Sequence, residues 1–343
     1  MPALALALLF FTGCSGAAPS SDSATETVYA MDTVMTITAY GENSEAAVAA
    51  AAEKIEELDE LLDSSDEESE IYAVNEAGSG VLSYDAARIV MTALNAYELT
   101  GGAFDITIYP VMLAWGFTTE EYNVPSDSEI EALLENVGSD KLSLEANEDG
   151  TAQITLAEGQ GIDLGGVAKG YVSALIMDIF EEYGIESGIV SLGGNVQCLG
   201  AKTDGSAWRC GIANPDDPEN TNNLLGVIEV SDCAVITSGS YMRYFTDEET
   251  GLTYHHIIDP ATGYPADSGL TSVTIVSADG ALADALSTAC YVMGPDEAVS
   301  FWRSGAAQFD MILVAKDGSI CVTEGIASDF TSDYDFEIIY EED

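Results

Sequence analysis

A turn with two glycines and one carboxylate, Asp163-Leu-Gly-Gly166, stands directly before an apolar helical pattern. Paired glycines at the start of a helix let backbone groups approach a phosphate or a metal ion closely, because no Cβ intrudes. Asp163 could bind a sugar, a base or a cation there, or it could cap the helix. Lys169, one helical turn further on, could neutralise a phosphate or form a salt bridge with surplus acid.

A second candidate site lies in Ala283-Asp284-Ala-Leu-Ser-Thr288, where a carboxylate and a hydroxyl stand four residues apart. That spacing places both side chains on one face of a helix. Together they can supply two oxygen ligands to Mg²⁺, and water, phosphate and the backbone carbonyl of Gly166 can fill the remaining positions. Alternatively, Thr288 bonds to its own helix and Asp284 is exposed to solvent.

The two histidines of the chain, His255 and His256, are adjacent in a predicted strand over 254–258. Neighbouring side chains in a strand point to opposite faces, so at most one of them faces a given site. The turn 259–263 follows, with a proline that fixes φ and a glycine that permits positive φ. His256 could act as a general base with a pKa near the ordinary value of about 6.5, or it could be an ordinary partly buried histidine.

Two further polar segments could belong to a site. In 102–105, Asp105 could cap the next element and Phe104 could lie in the core. The loop 237–240 leads to Arg243, whose guanidinium could neutralise a phosphate.

Apolar periodicity predicts the elements that must position these residues. Helical patterns cover 44–62, 83–100, 126–136, 167–183, 280–293 and 295–303. Strand patterns cover 31–40, 151–156, 189–192, 227–230, 234–237, 254–258, 273–276 and 311–315. Helices and strands mix without strict alternation, which predicts an α+β fold with mixed or antiparallel sheets and packed helices in a single large domain.

The charge of the chain excludes some function classes. Asp and Glu number 60 against 9 Lys and Arg, a formal net charge of −51. Nucleic-acid binding and attraction to anionic lipid need basic surfaces, which this chain lacks. The acidity could keep the surface soluble or could accumulate divalent cations near the protein. Hydrophobic residues make up 47% of the chain, which is enough for a folded core.

The N-terminus is typical of a targeting segment. The apolar run 3–11 is too short to span a bilayer and is followed by Phe11-Thr-Gly-Cys14. We expect a lipoprotein signal over 1–14, with Cys14 as the lipidated residue, a flexible tether over 15–27 and the folded domain over 28–343. The protein would then be lipid-anchored on the extracytoplasmic side of a bacterial cell membrane. A buried or frayed N-terminus is the alternative.

The other five cysteines show no C-x-x-C spacing and no histidine cluster, which argues against a zinc site. Cys198 and Cys210 could lie on neighbouring strands and pair.

The order of these motifs resembles that of the ApbE family of FAD:protein FMN transferases. The segments that carry the resemblance, over roughly 28–325, are Met31-Asp-Thr, Gly102-Ala-Phe-Asp105, Asp163-Leu-Gly-Gly, Ser191-Leu-Gly-Gly-Asn195, Thr237-Ser-Gly, His256-Ile-Ile-Asp-Pro-Ala-Thr-Gly263 and Asp284-Ala-Leu-Ser-Thr288. The resemblance implies an ApbE-like (T-fold-like) fold and a reaction in which FAD is bound and Mg²⁺ bridges its diphosphate. A threonine hydroxyl of a partner protein attacks, AMP leaves and FMN stays on the partner through a phosphoester.

The resemblance also assigns roles to individual residues. It implies a flavin-nucleotide site formed by Met31, Ala103, Phe104, Asp105, Asp163, Lys169 and Ile257, to which we add Asn195 and Arg243. It implies metal ligation by Asp284, Thr288 and the Gly166 carbonyl, and catalysis by His256. An aromatic residue of the flavin pocket is missing from 64–68, and Tyr72 is the nearest candidate to replace it.

The acceptor motif of the family, Ser/Thr-Gly-Ala-Thr, does not occur in this chain. We therefore expect the acceptor to be another protein, with a membrane redox subunit as the favoured class. An FAD diphosphatase that releases FMN and AMP would use the same site. A lipid-anchored FAD carrier is the non-enzymatic alternative, although pure binding needs no base.

Overall fold

A computed structural model describes residues 22–342 of the protein. Its helices are α1 Ser44–Leu62, α2 Glu70–Ala77, α3 Tyr84–Thr100, α4 Tyr109–Trp115, α5 Asp127–Leu134, α6 Ala168–Glu182, α7 Gly280–Arg303 and α8 Glu324–Ala327. Helix α7 is interrupted at Gly294, where φ is 77° and Pro295 follows, so its two halves correspond to the two predicted helices. Helix α2 follows the acidic segment and was not predicted.

Most of the strands form one large sheet. The strands are β1 Ser23–Ala30, β2 Thr33–Tyr40, β3 Ser79–Leu82, β4 Ser143–Ala146, β5 Ala152–Thr155, β6 Ser187–Leu192, β7 Asn195–Leu199, β8 Trp208–Ala213, β9 Leu224–Val230, β10 Ala234–Gly239, β11 Tyr244–Thr246, β12 Thr253–His255, β13 Leu270–Ser277, β14 Asp310–Ala315, β15 Ile320–Thr323, β16 Phe330–Thr331 and β17 Glu337–Ile339. Nine of them pair in the order β1-β2-β6-β7-β10-β13-β14-β15-β17, and only β15 and β17 are parallel. Strands β16-β9-β8, β3-β5-β4 and β11-β12 form three smaller sheets. The predicted α+β class with mixed sheets and packed helices is confirmed.

Alternation along the central strands divides the core into two layers. On β10, Ile236 packs with the side chains of α7, whereas its neighbour Val235 packs with β8 and β9. Ile275 and Val276 divide in the same way on β13. Successive side chains of a strand point to opposite faces, so the helices cover one face of the large sheet and the small β16-β9-β8 sheet covers the other.

Four chain segments converge at one end of the large sheet. The β1–β2 turn, the β6–β7 turn and the loop after β10 all lie there, because the antiparallel order brings these strand ends to the same edge. The segment after β12 joins them through a backbone bond from His256 to Arg243. This end therefore collects Met31, Asn195, Arg243 and His256.

Predictions about local structure differ from the observed fold at several places. The strand predicted over 31–40 begins at Thr33, because Met31 and Asp32 form the β1–β2 turn with positive φ. Residues 23–27, which the composition places in a flexible tether, form the first part of β1 and pair with β2. The predicted strand over 254–258 is shorter, since β12 ends at His255 and only an isolated bridge joins Ile258 to Pro265. The signal segment, Cys14 and residues 15–21 lie outside the described residues. Within 22–342, no helix combines the length and the apolar character that crossing a bilayer requires.

Cys198 and Cys210 do not lie on neighbouring strands of one sheet, but their thiols meet between two packed sheets without forming a disulfide. Cys198 is on β7 of the large sheet and Cys210 is on β8 of the small sheet that covers it. Both thiols are free and buried in the layer between the two sheets.

Candidate functional site

The glycine-rich turn before α6 is held by side chains from other segments. Asp163 accepts hydrogen bonds from the backbone N–H of Gly165 at 3.0 Å and from Ser64 Oγ at 3.1 Å. The side-chain amide of Asn75 bonds twice to the backbone of Ile162. Its Oδ1 accepts from the Ile162 N–H at 2.8 Å, and its Nδ2 donates to the Ile162 carbonyl at 2.9 Å. Asp163 thus caps the turn itself rather than the helix, whose N-cap is residue 167.

Gly166 brings this turn against α7. A Cβ on Gly166 would lie 2.9 Å from Cε2 of Phe104 and 3.9 Å from Oγ1 of Thr288. Phe104 is 5% exposed and belongs to the core, as expected. Because the ring fills the space beside Gly166, a side chain at that position would displace the turn from Thr288.

Asp284 is buried rather than exposed, which excludes the surface alternative for it. It is 5% exposed, and its Oδ2 accepts the backbone N–H of Gly170 at 2.8 Å. A Cβ on Gly170 would lie 2.5 Å from Cβ of Asp284, so the two helices cross closely at a glycine. No ion pair of the described residues includes Asp284.

Thr288 does not bond to its own helix. Its hydroxyl lies 3.3 Å from Oγ of Ser238 at the end of β10, and the bond to the Asp284 carbonyl comes from Ser287 instead. Ser238 was not singled out from the sequence, although the polar loop 237–240 contains it.

This donor set fits a hard cation. A buried carboxylate without a cationic partner calls for a positive charge nearby, and Thr288 and the turn at Gly166 bring further oxygen ligands close to it. Among residues 22–342 no group of three or more His, Cys, Asp and Glu side chains could hold a metal ion. The remaining ligands would therefore be water and phosphate oxygens, as is usual for Mg²⁺.

His256 lies directly after β12 and is fixed by the backbone of Arg243. Its N–H donates to the Arg243 carbonyl at 3.0 Å, and its ring Nδ1 lies 3.1 Å from the same oxygen. A carbonyl can only accept, so Nδ1 carries the proton and Nε2 keeps its lone pair. Burial lowers the pKa of His256 to about 3, and the positive charges of Arg243 and Lys169 act in the same direction. The expected ordinary pKa is therefore wrong, and His256 is neutral at physiological pH.

His255 faces different neighbours, as strand geometry predicts. Its Nε2 lies 3.2 Å from the carbonyl of Ala266, and its ring meets the edge of Tyr291 at 5.6 Å between centroids. Burial lowers the pKa of this histidine as well.

Arg243 and Lys169 provide positive charge around His256. Arg243 forms an ion pair with Asp32 at 3.1 Å and donates to the carbonyl of Phe117 at 3.2 Å. Lys169 donates to the carbonyl of Gly165 at 3.1 Å, and no ion pair within 22–342 includes it. The alternative interpretation, in which Lys169 forms a salt bridge with an acidic residue, is therefore wrong.

The remaining predicted residues are mostly interior. Asp105 is 5% exposed, and its carboxylate accepts from the backbone and hydroxyl of Thr107 and from Ser139, which confirms that it caps the next element.

Asn195 and Ile257 are each 3% exposed, and Nδ2 of Asn195 has no hydrogen-bond partner in the described chain. Ala103 packs on the main core.

Tyr109 is an aromatic residue beside the turn and lies outside the sequence motifs. Its hydroxyl donates to the carbonyl of Ser64 at 3.2 Å, and a Cβ on Gly161 would lie 2.6 Å from its ring. Burial raises the pKa of Tyr109, and the negative charge of Asp163 adds to the effect. Tyr72 is close enough to raise the pKa of Tyr109 as well. In the sequence, the only feature that pointed to Tyr109 was its position shortly after Asp105, at the start of a helix.

Comparison with known proteins decides the family. The family model described as ApbE matches residues 31–313, most of the chain. The chain belongs to the ApbE family. It is 32% identical over 257 residues to the FAD:protein FMN transferase of Vibrio cholerae, with 74% of this chain and 75% of that protein covered. The FAD:protein FMN transferase of Treponema pallidum is 31% identical over 280 residues, with 77% and 76% covered.

Solved structures of the ApbE family have the same fold. The ApbE protein of Thermotoga maritima superposes with a TM-score of 0.80 at 31% identity, and 89% of this chain and 98% of that one are covered. The flavin transferase ApbE from Vibrio cholerae gives a TM-score of 0.77 at 26% identity, with 89% and 98% covered. The resemblance drawn from the order of the motifs is thereby confirmed.

Proposed function

We propose that this ApbE-family protein transfers FMN from FAD to a threonine hydroxyl of an acceptor protein and releases AMP. The observation that carries the proposal is the meeting of Asp284, Thr288 and the turn at Gly166, with His256 and Lys169 close enough to interact electrostatically. Attack on a diphosphate depends mainly on positioning and charge neutralisation, and this end of the sheet provides both.

His256 is the residue that moves a proton. Its Nδ1–H is held by the Arg243 carbonyl, so the free Nε2 can accept the proton of the acceptor threonine as the hydroxyl oxygen attacks the phosphorus of the FMN moiety. The bond from that phosphorus to the bridging oxygen breaks, and AMP leaves with the oxygen. Since His256 is neutral before the reaction, it is ready to act as a base.

The metal proposal concerns Mg²⁺ held by Asp284, Thr288 and the Gly166 carbonyl. The ion would neutralise negative charge on the diphosphate. Lys169 is a candidate to place a second positive charge on the same group. Arg243 contributes less directly, because its guanidinium is already paired with Asp32 and Phe117.

The flavin-nucleotide site would be formed by the elements around this centre. Tyr109, whose hydroxyl donates to the Ser64 carbonyl beside Asp163, is a second aromatic candidate next to Tyr72 on α2, and both side chains are partly exposed. Nδ2 of Asn195 is buried without a hydrogen-bond partner among the described residues, and a ligand oxygen that reached it would satisfy it. Met31, Ala103, Phe104, Asp105 and Ile257 then shape the surrounding wall.

The location of the protein is part of the proposal. Lipidation of Cys14 would hold the folded domain at the extracytoplasmic face of the membrane, beside an acceptor such as a membrane redox subunit. The apolar run that ends at Gly13-Cys14 supports this anchor.

Stoichiometry tests the reaction class. The protein is incubated with FAD, Mg²⁺ and an acceptor that carries the Ser/Thr-Gly-Ala-Thr motif, and both AMP and flavin on the denatured acceptor are measured. Transfer predicts one acceptor-bound flavin per AMP. AMP with free FMN and an unmodified acceptor would identify a diphosphatase instead, and binding of FAD without AMP would identify a carrier.

A further inference from the structure

The turn between β1 and β2 holds two residues in a conformation that L-amino acids rarely adopt. Met31 and Asp32 have φ values of 47° and 59°, and the flanking residues Ala30 and Thr33 pair as the last rung of the hairpin. Asn-Gly is the usual sequence of such a turn, because positive φ is unfavourable for residues with a Cβ. Something outside the hairpin must therefore stabilise this one.

Asp59 on α1 provides the external contact. Its Oδ1 accepts the backbone N–H of Met31 at 2.6 Å. No ion pair among residues 22–342 includes Asp59, and the charges that act on it are the carboxylates of Asp63, Asp32 and Glu60. A half-buried carboxylate among other carboxylates is costly, so its bond to the turn must offset that cost.

The other end of the turn is linked to the proposed base. Asp32 pairs with the guanidinium of Arg243 at 3.1 Å, and the Arg243 carbonyl holds both the backbone N–H and the Nδ1 of His256. A continuous series of contacts thus runs from α1 through the strained turn to the imidazole.

We propose that Asp59 is a positioning residue for flavin transfer, which holds the Met31–Asp32 turn in place and through it Arg243 and His256. This inference rests on the proposed function. If Met31 lines the nucleotide site, the same carboxylate also fixes one wall of that site. Asp59 itself would contact neither the substrate nor the reacting atoms.

Three variants on α1 test the inference. Asp59→Ala removes the acceptor of the Met31 N–H, whereas Asp59→Asn keeps an oxygen acceptor and removes only the charge. Glu60→Ala, at the exposed neighbouring position on α1, is the matched control. KM for FAD, kcat for transfer to a fixed acceptor, and Tm are measured for each.

We expect Asp59→Ala to lower kcat/KM about tenfold or more, because the Met31 N–H loses its acceptor and the turn is no longer held in place. Asp59→Asn should recover to within about threefold of the wild type, and Glu60→Ala should match it. A role in folding alone would lower Tm without changing KM or kcat at a temperature where the protein is folded. Equal kinetics for Asp59→Ala and Glu60→Ala would overturn the inference, as would equal losses in Asp59→Ala and Asp59→Asn.

Asp32→Gly tests the same inference at the other end of the turn, and it can be used if Asp59→Ala does not fold. Glycine adopts the φ of 59° without strain, so this variant should fold at least as well as the wild type, but it has no carboxylate for Arg243. We expect kcat to fall several-fold while Tm is maintained. An unchanged kcat would contradict the link from the turn to His256. A wild type that transfers no FMN would instead contradict the proposed function.

Discussion

The backbone N–H of Gly170 donates a 2.8 Å hydrogen bond to Oδ2 of Asp284, which joins the first turn of α6 to α7. The bond uses only Oδ2, and within residues 22–342 no hydrogen bond to Oδ1 of the same carboxylate is found. A single buried aspartate therefore has two tasks, since it fastens two helices together and supplies the proposed metal ligand.

The two tasks of Asp284 can be separated by substitution. Asp284→Asn retains an oxygen for Gly170 but removes the charge, so Mg²⁺-dependent transfer should fall about 100-fold or more with little change in unfolding free energy. Asp284→Ala should lose the same activity and also about 1–3 kcal/mol of stability, because the buried N–H of Gly170 loses its partner. Transfer assays over a Mg²⁺ titration and urea unfolding measure the two effects. Glu297→Gln, at an exposed position of α7, is the control. Wild-type Mg²⁺ dependence in Asp284→Asn would refute the assignment.

The histidine pair offers an internal control for the base. His256→Asn should slow transfer by roughly 10²–10⁴-fold, the usual contribution of a positioned general base. FAD binding should change little. His255→Asn should reduce transfer only mildly, because that ring faces Ala266 and Tyr291. Rates at saturating FAD and acceptor decide the matter, and equal losses in the two variants would remove the base assignment.

Protonation of His256 should affect stability in acid. The native pKa is about 3 and the unfolded value is about 6.5, so between these pH values the unfolded chain binds more protons than the native one. The free energy of unfolding must therefore decrease as pH falls from about 6.5, and the decrease should be smaller in His256→Asn. Urea unfolding of both proteins from pH 8 to pH 4 measures it, and parallel curves would contradict the lowered pKa.

Local sequence patterns indicated the residues of the candidate site, but not the contacts that hold them in place. The spacing of Asp284 and Thr288 and the paired glycines at 165–166 follow from short-range helix geometry, so they could be found directly. The bond from Asp59 to Met31 spans 28 positions, and it depends on how α1 packs against the hairpin. No periodicity reports such a contact, and the same is true of Asn75, which fixes the turn from the unpredicted helix α2.

The electrostatic properties of the candidate site could not be predicted without knowledge of the fold. The sequence indicated an imidazole near a rigid turn, but its pKa depends on burial and on Arg243 and Lys169, which only the packed structure brings close. Asp105 shows the converse case: its role as a cap was predictable because Thr107 is two residues away. Interactions within a few residues were predictable from sequence, whereas those across the sheet were not.

Membrane anchoring is tested at Cys14. Full-length protein produced in a bacterium with lipoprotein processing should incorporate labelled fatty acid, and Cys14→Ser should not incorporate it or be cleaved. Cys321→Ser, a change in the folded domain, is the control. Equal labelling of Cys14→Ser and the wild type would exclude this anchor.

The most direct test of the central claim is tandem mass spectrometry of the acceptor after incubation with FAD, Mg²⁺ and this protein. We predict FMN attached through a phosphoester to one threonine of the acceptor motif, and its loss when Mg²⁺ is chelated or when His256→Asn replaces the wild type. An acceptor that stays unmodified while FAD is consumed, or flavin attached independently of this protein, would contradict the account.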